Sequence, residues 1–541
     1  MAITYRYQTK PFAHQRKCFE LSRDREYFAF LMEQGTGKTK VGIDTAAYLY
    51  EKNKIEAVVI VGPNEGDVPE VWVEQFATHF PKRNSYAIAR ARSNMMKARV
   101  RDLLKKICDP HAKVGLRVIT INVEALRKGS PMFNLLLKFM RQFKTLFIID
   151  ESTRIKSASS SQTRGALKLA MNTDYRRIAS GVPITNAPFD AYPQFLFLSP
   201  TILGFDFFTA FKAHYCQLLP PEHGLIRYTA EKMASRVRDP QRRAELVTKM
   251  RSIIQIPARD AAGQIIYRNH DELRKKIAAH SFRVLKEDCL DLPPKLYTKR
   301  YVDLTPKQQL IYDQVKKEVI AEFVADGELQ YITSSLAITR LLRLQQVVCN
   351  HYSPDPDPDL PKQPPKRIEG ITRSPKGKNV TFDNPRIQAL LSWIEEDPDV
   401  KGIIWCRHHP EIREIGETLR MLYGDHKVLE LHGKVKGGER AEVRHKFQDV
   451  KNPAQWLIGQ VRSGIGIDLF EAHWEFYYSN DYSLENRLQS EDRVHRLGLK
   501  HKLTIVDVIA RGTLDEKIVA TLRAKKEISD LILGDNPRNW L

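Results

Sequence analysis

The chain has 541 residues, 42% of them hydrophobic, and carries 86 Lys and Arg against 65 Asp and Glu, a formal charge of +21. That length holds roughly three or four domain-sized units with ample core, so the composition describes a multidomain globular protein. The basic excess favours a polyanionic partner, with nucleic acid ahead of an anionic membrane surface and a merely solvating basic surface as the plain alternative.

The first residues, Met1 to Tyr7, lack the apolar run of a signal peptide, and no 18-residue apolar stretch occurs anywhere. The six cysteines are scattered and form no C-x-x-C pair. The expectation is an intracellular, reducing location without a membrane span and without zinc. No period of 20 to 50 residues repeats, which excludes a solenoid.

In chain order, residues 1–200 alternate short apolar runs with amphipathic helical stretches, the pattern of a parallel sheet covered on both faces. Strands are predicted at Tyr27–Leu31, Ala57–Gly62, Leu116–Ile121, Thr145–Ile149 and Arg177–Ala179. Residues 201–295 read as a mainly helical insertion rich in aromatic and basic side chains, and 296–351 as a helical insertion or linker. Seven prolines between 352 and 383 predict an exposed, mobile loop. Alternation resumes over 384–541, with strands at Gly402–Cys406, Lys427–Leu431, Gln455–Gly459, Glu475–Tyr478 and Leu503–Val508.

Three stretches carry chemistry. After the first strand, Gly35, Thr36, Gly37, Lys38 and Thr39 open a helix. The glycines let consecutive N–H groups converge on a phosphate, Lys38 can reach the β/γ-phosphates, and Thr39 can offer its hydroxyl to Mg²⁺. On its own such a string also suits an ordinary strand-to-helix turn, and its first expected glycine is Met32. Asp150 and Glu151 follow a buried strand, where one carboxylate can hold Mg²⁺ and the next can take a proton from an attacking water, although two acids also commonly start a helix. Gln489, Arg493 and Arg496 are spaced to share one helical face, either a solvated basic face or a pair of arginines aimed at a transferring phosphoryl group.

The order of G-T-G-K-T (35–39), D-E-S-T (150–153), S-G-V-P-I-T-N (180–186), S-G-I-G-I-D-L (463–469) and Q-S-E-D-R-V-H-R (489–496) is similar to the motif series of superfamily-two helicases. It resembles more narrowly the Swi/Snf-related DNA-translocating ATPases, in their compact phage- or bacterial-type form. The narrower likeness rests on the Asp-Arg-x-His-Arg-x-Gly run at 492–498, on Phe282-Arg283 with Lys286 before Leu292-Pro293-Pro294-Lys295, on Leu304-Thr305 with Gln308 and Tyr312, and on Cys349-Asn350-His351.

The resemblance implies an α/β fold of two RecA-like lobes whose parallel sheets flank an ATP cleft, with helical insertions. It implies ATP and Mg²⁺ as cofactors, with His14 and Gln15 near adenine, Gly35 to Thr39 on the phosphates, Thr39 and Asp150 on Mg²⁺, and Glu151 activating water. Ser180 and Thr185 would couple hydrolysis to movement. Gly464, Gly466 and Asp468 would shape the second lobe's face, Gln489 would contact nucleotide, and Arg493 and Arg496 would act as arginine fingers. DNA, duplex or branched, would be held mainly through its backbone near Pro63, Asn122 to Glu124 and Gly433. Thr153, Val182, Val284, Asp468 and Leu499 depart from residues usual in the family, and with Met32 they suggest a divergent branch.

The implied function is an ATP-dependent DNA translocase in repair, recombination or fork processing. It would work in the cytoplasm of a prokaryote or an infected host cell, or in the nucleus of a eukaryote. The alternatives are a catalytically dead scaffold, the motor of a restriction or defence complex, or an RNA-directed helicase. With the chain beginning shortly before the adenine segment and ending soon after Gly512 to Lys517, the expectation is that it carries no histone-reading, nuclease or zinc module. Targeting is therefore expected from the insertion, the proline-rich loop or a partner protein.

Overall fold

A computed structural model describes residues 5–64, 68–91, 98–261, 264–324, 335–352, 366–367, 371–373, 380–433, 435, 437–461 and 468–535. Most of the proline-rich stretch lies outside the described residues. The chain forms two compact units, Met1–Cys289 with Glu527–Pro537 and Leu290–Lys526 with Arg538–Leu541.

The first unit is built on a seven-stranded sheet. Its strands are β1 (Tyr27–Met32), β2 (Ala57–Gly62), β3 (Tyr86–Arg90), β4 (Leu116–Asn122), β5 (Thr145–Asp150), β6 (Tyr175–Ala179) and β7 (Ser281–Val284). They lie in the order β3-β4-β2-β5-β6-β1-β7, and every pairing is parallel. Because side chains alternate across a strand, Val59, Val61, Phe147 and Ile149 enter the core on one face while Val58, Ile60, Leu146 and Ile148 enter the core on the other. A sheet buried on both faces needs such unbroken apolar runs, which is why the central strands are legible in the sequence.

The second unit holds β8 (Lys295–Val302), β13 (Gly402–Cys406), β14 (Val428–Leu431), β15 (Trp456–Gln460), β16 (Trp474–Tyr477) and β17 (Leu503–Ala510). Their order is β14-β15-β13-β16-β17-β8, again all parallel. Two small antiparallel pairs stand apart, β9 (His351–Tyr352) with β10 (Lys366–Arg367) and β11 (Ile371–Arg373) with β12 (Val380–Phe382).

The short strands β10, β11 and β12 fall in the proline-rich stretch expected to be a loop, and β9 at the end of the expected helical linker. Within the two parallel sheets three strands differ from the sequence reading. β7 lies inside the segment expected to be a helical insertion, and β8 inside the expected helical linker, while β3 is an addition to the predicted set. All three are edge strands. An edge strand keeps one side in contact with solvent, so β8 mixes Leu296, Tyr297 and Thr298 with Lys299 and Arg300 and shows no apolar run. The rest of the insertion is mainly helical, at Phe208–Tyr215, Gly224–Ala234, Pro240–Ile253 and His270–Ala279, with antiparallel bridges at Cys216–Tyr267, Leu218–Pro257 and Arg259–Ile265 between them.

A further difference concerns the end of the chain, which the strand–helix alternation assigns wholly to the second lobe. The helix Leu514–Leu533 begins in the second unit, but Glu527–Pro537 counts with the first, and Ile532 is fully buried in that unit's core. Beyond the helix, Asp535 takes two hydrogen bonds from Arg283 of β7, at 2.7 and 3.1 Å. Arg283 also donates to the carbonyls of Gly181 at 2.8 Å and Leu31 at 3.2 Å. A single guanidinium therefore joins β1, the turn after β6 and the returning segment.

Candidate nucleotide-binding site

β1 ends at Met32, whose side chain is fully buried in the sheet's core. That explains the missing first glycine, because the position still belongs to the strand. The tight turn comes afterwards, at Gly35 (φ +85°) and Gly37 (φ +91°), left-handed conformations that favour glycine. At Gly37 there is a second reason, since a Cβ would fall 2.1 Å from Gln15 Nε2.

Gln15 accepts from the Phe12 N–H at 3.0 Å and donates to the Thr36 carbonyl at 3.1 Å, and His14 Nε2 donates to the same carbonyl at 2.8 Å. Both side chains are buried. The pair expected near adenine thus braces the phosphate loop from behind. Lys38 starts the helix Lys38–Glu51 and curls over the loop, donating to the carbonyls of Met32 at 3.0 Å and Glu33 at 3.4 Å.

Asp150 is the last residue of β5, and the order β5-β6-β1 leaves one strand between it and the phosphate loop. Burial pushes its carboxyl up, while the charge of Lys38 and a hydrogen bond from Trp72 pull it down. Trp72 Nε1 donates to Oδ2 at 2.8 Å, and the Glu151 N–H donates to Oδ1 at 3.0 Å. Nothing in the sequence singles out Trp72. Its ring lies against Gly42 of the loop's own helix, where a Cβ would come within 2.7 Å of it. Glu151 adopts φ +52°, sparsely populated for a residue with a side chain, as the chain turns into the short helix Ser152–Ile155.

Between these groups β6 leads to Ser180, whose N–H donates to the Phe30 carbonyl at 3.1 Å. Thr185 is fixed by Asp190, whose Oδ2 accepts from the Thr185 N–H at 2.9 Å, the Thr185 hydroxyl at 3.0 Å and the Asn186 N–H at 2.8 Å. Lys156 adds a bond to the same hydroxyl at 2.7 Å. Asp190 escapes the sequence reading too, because it lies beyond the motif at 180–186.

The first unit thus brings together Gln15, Gly35, Thr36, Gly37, Lys38, Thr39, Asp150 and Glu151 at the carboxyl ends of its strands. Thr39 and Asp150 supply hard oxygen donors, the kind that suits Mg²⁺. Asp150 retains lone pairs beyond its two N–H contacts, so the donor set fits that ion.

In the second unit the helix Leu484–Val494 carries Gln489 and Arg493. It stops there, with His495 outside and Gly498 at φ +109° turning the chain. Arg496 therefore does not share the helical face expected for all three residues. It pairs instead with Asp468 Oδ1, while Arg444 meets Oδ2 of the same carboxylate at 3.1 Å. The Leu469 N–H also donates to the Arg493 carbonyl at 2.9 Å, tying the two motif segments together. Gly464 and Gly466 lie outside the described residues.

Beneath that helix is a buried charge network. Glu491 accepts from Arg487 at 2.8 Å, Lys295 at 2.9 Å and the Tyr297 hydroxyl at 2.8 Å, and Arg487 also binds Asp507. Burial pushes the Glu491 carboxyl up, but Lys295 and Arg487 outweigh it and hold it down at about 2. β8 and the arginine-bearing helix are locked to each other by this network.

Of the expected DNA contacts, Pro63 follows β2 and Asn122 ends the adjacent β4, with Gly62 opposite Asn122 in the β2–β4 register. Gly433 is exposed after β14, with open space where a Cβ would stand. The helix Pro240–Ile253 has no buried residue and bears Arg242, Arg243, Lys249 and Arg251. Among the described residues no helix is long and apolar enough to cross a membrane.

The SNF2-related domain matches residues 30–353, and the helicase conserved C-terminal domain matches residues 385–498. The chain is 24% identical over 420 residues to the TATA-binding protein-associated factor MOT1 of Saccharomyces cerevisiae, covering 72% of this chain and 20% of that one. To the human lymphoid-specific helicase it is 22% identical, covering 93% of this chain and 60% of that one. The chain thus spans about a fifth of the length of the first curated relatives it matches. Among solved structures, the Sulfolobus solfataricus SWI2/SNF2 ATPase core in complex with dsDNA aligns over 98% of this chain and 94% of that one, at 20% identity and a TM-score of 0.38.

Proposed function

The chain belongs to the SNF2-related family, and from that premise we propose that it is an ATP hydrolase that moves along duplex or branched DNA, serving repair, recombination or replication-fork processing. The observation that carries the reading is the pairing of a lysine-bearing phosphate loop with Asp150 and Glu151 at the carboxyl ends of one parallel sheet.

In this reading the loop N–H groups and Lys38 bind the β/γ-phosphates of ATP, with Gln15 and His14 keeping the loop in shape. Thr39 and Asp150 would hold Mg²⁺, which neutralises phosphate charge when bound. Glu151 accepts a proton from the attacking water, and Gln489, Arg493 and Arg496 act on the same nucleotide, the two arginines stabilising the charge that spreads over the transferring group. DNA is held through its phosphates near Pro63, Asn122 to Glu124 and Gly433 and by the exposed basic helix, so stepping is independent of sequence.

ATP turnover measured without nucleic acid and with single-stranded DNA, duplex, fork and RNA tests this, with Lys38→Ala as the control. Strong stimulation by duplex or fork is the expected result. A rate indifferent to DNA overturns the motor reading, and stimulation by RNA alone changes the substrate. Relatives named for association with the TATA-binding protein favour a second element, a protein partner that supplies targeting. The location is the cytoplasm if the source is a prokaryote and the nucleus if it is a eukaryote.

A further inference from the structure

The Cys349-Asn350-His351 run takes no part in the nucleotide chemistry. It follows the helix Ser335–Val348, and Asn350 adopts the left-handed conformation (φ +61°), turning the chain sharply so that His351 points back into the second unit. There it meets the start of another helix, His409–Tyr423, which follows β13. One ligand atom each from His351, His408 and Glu411 lie within 4.8 Å of one another.

Two of the three groups are aimed from behind. His351 Nδ1 lies 3.1 Å from the Cys349 carbonyl, so Nδ1–H donates and Nε2 keeps its lone pair. Glu411 Oε2 accepts from the Ser479 hydroxyl at 2.6 Å, the Arg407 N–H at 3.1 Å and the His408 N–H at 3.4 Å. Its other oxygen, Oε1, has no hydrogen-bond partner among the described residues, nor have Nε2 of His351 and Nε2 of His408. His351 is 2% exposed and Glu411 0%.

Two buried acceptors, His351 Nε2 and Glu411 Oε1, meet the unpartnered His408 Nε2 at one point, and leaving such groups unmatched is costly unless something bridges them. We propose that His351, His408 and Glu411 form a metal site that binds Zn²⁺, clipping the end of one helix to the start of another within the second unit.

Two imidazole nitrogens and one carboxylate are a donor set that zinc takes, and a backbone carbonyl behind the ligating histidine is the usual second support. Ligand atoms about 2.0–2.2 Å from a tetrahedral Zn²⁺ stand roughly 3.3–3.5 Å apart, so small side-chain rotations close the site. Cysteine spacing argues against zinc, but this set uses no cysteine sulfur and is assembled by the fold from separate segments.

The test uses the full chain purified without chelator. About one zinc per chain is expected by elemental analysis, and chelator-stripped protein should take up Co²⁺ with the visible absorption of a tetrahedral site. His408→Ala, at the partly exposed position, should lose at least tenfold in Zn²⁺ affinity, as should His351→Ala. Ser479→Ala, which leaves all three ligands in place, should lose about 10- to 100-fold. The proposal fails if the wild-type chain neither carries nor rebinds a stoichiometric ion. It also fails if the His351→Ala and His408→Ala proteins keep wild-type affinity. Because the Co²⁺ spectrum is read on wild-type protein, a variant that misfolds does not remove the test.

Discussion

Arg496 donates to one oxygen of Asp468, and Arg444 reaches the other at 3.1 Å, so the arginine proposed to act on ATP is held by a carboxylate of its own unit. Asp468→Asn removes the charge and weakens the hold. The pair is partly exposed and of the kind that contributes roughly 0–1 kcal/mol, so DNA-stimulated turnover should rise up to about fivefold. Arg496→Ala should lower turnover on the order of a thousandfold while leaving DNA affinity nearly intact. Steady-state ATPase assays with saturating DNA check both. A fall in Asp468→Asn to the Arg496→Ala level would place Asp468 itself in the machinery.

Trp72 reaches Asp150 with an N–H that stabilises the ionised carboxyl against burial. Trp72→Phe keeps most of the ring and loses that bond. Asp150 then titrates at higher pH, and the acidic limb of the ATPase pH profile should move upward. The Mg²⁺ concentration for half-maximal turnover should rise by about 10- to 100-fold, the usual scale for losing a group behind a metal ligand. An unchanged Mg²⁺ dependence would contradict the assignment of Asp150.

Burial pushes the Glu475 carboxyl up to about 8, with Glu491 adding to the rise and the Trp405 N–H, Lys295 and Arg487 opposing it. A carboxyl raised in the folded state is at ease below its ordinary value of 4.5, and that stability is lost as pH climbs toward 8. Glu475→Gln should therefore unfold with the wild-type midpoint near pH 4.5 and be more stable near pH 8, by on the order of a few kcal/mol. Urea titrations at the two pH values decide it.

The helix Pro240–Ile253 buries none of its residues, so its charges can be reversed without touching a core. Arg242→Glu with Lys249→Glu should weaken DNA binding at all sequences alike. The slope of log affinity against log salt should become shallower by about one for each phosphate that is no longer neutralised. Basal turnover without DNA should stay unchanged. An unaltered salt slope would exclude this helix from the DNA path.

The sequence made the central strands and the phosphate loop readable because both obey local rules. A strand covered on both faces must be apolar throughout, and a loop around phosphate needs glycine where φ is positive. Edge strands β3, β7 and β8 escape such reading because solvent tolerates their charges. Trp72, Asp190 and Glu411 escape it for another reason. Each acts on a residue far away or in a neighbouring turn, and no spacing rule connects Trp72 to Asp150 or Glu411 to His351. The helical placement of Arg496 failed on one detail, the end of the helix at Val494, since periodicity shows which residues would align but not where the helix stops.

The returning segment has a consequence for how the molecule is made. Ile532 fills the core of the first unit, and Asp535 engages an arginine of its last strand, yet both leave the ribosome only after the whole second unit. Amino-terminal domains ordinarily fold as they emerge. Here the nascent first unit waits with an unfilled place beside β7, and a fragment stopped at Lys526 keeps all of β1 to β7 but should expose that gap. The unit bearing the phosphate loop is the first to be synthesised and among the last to be completed.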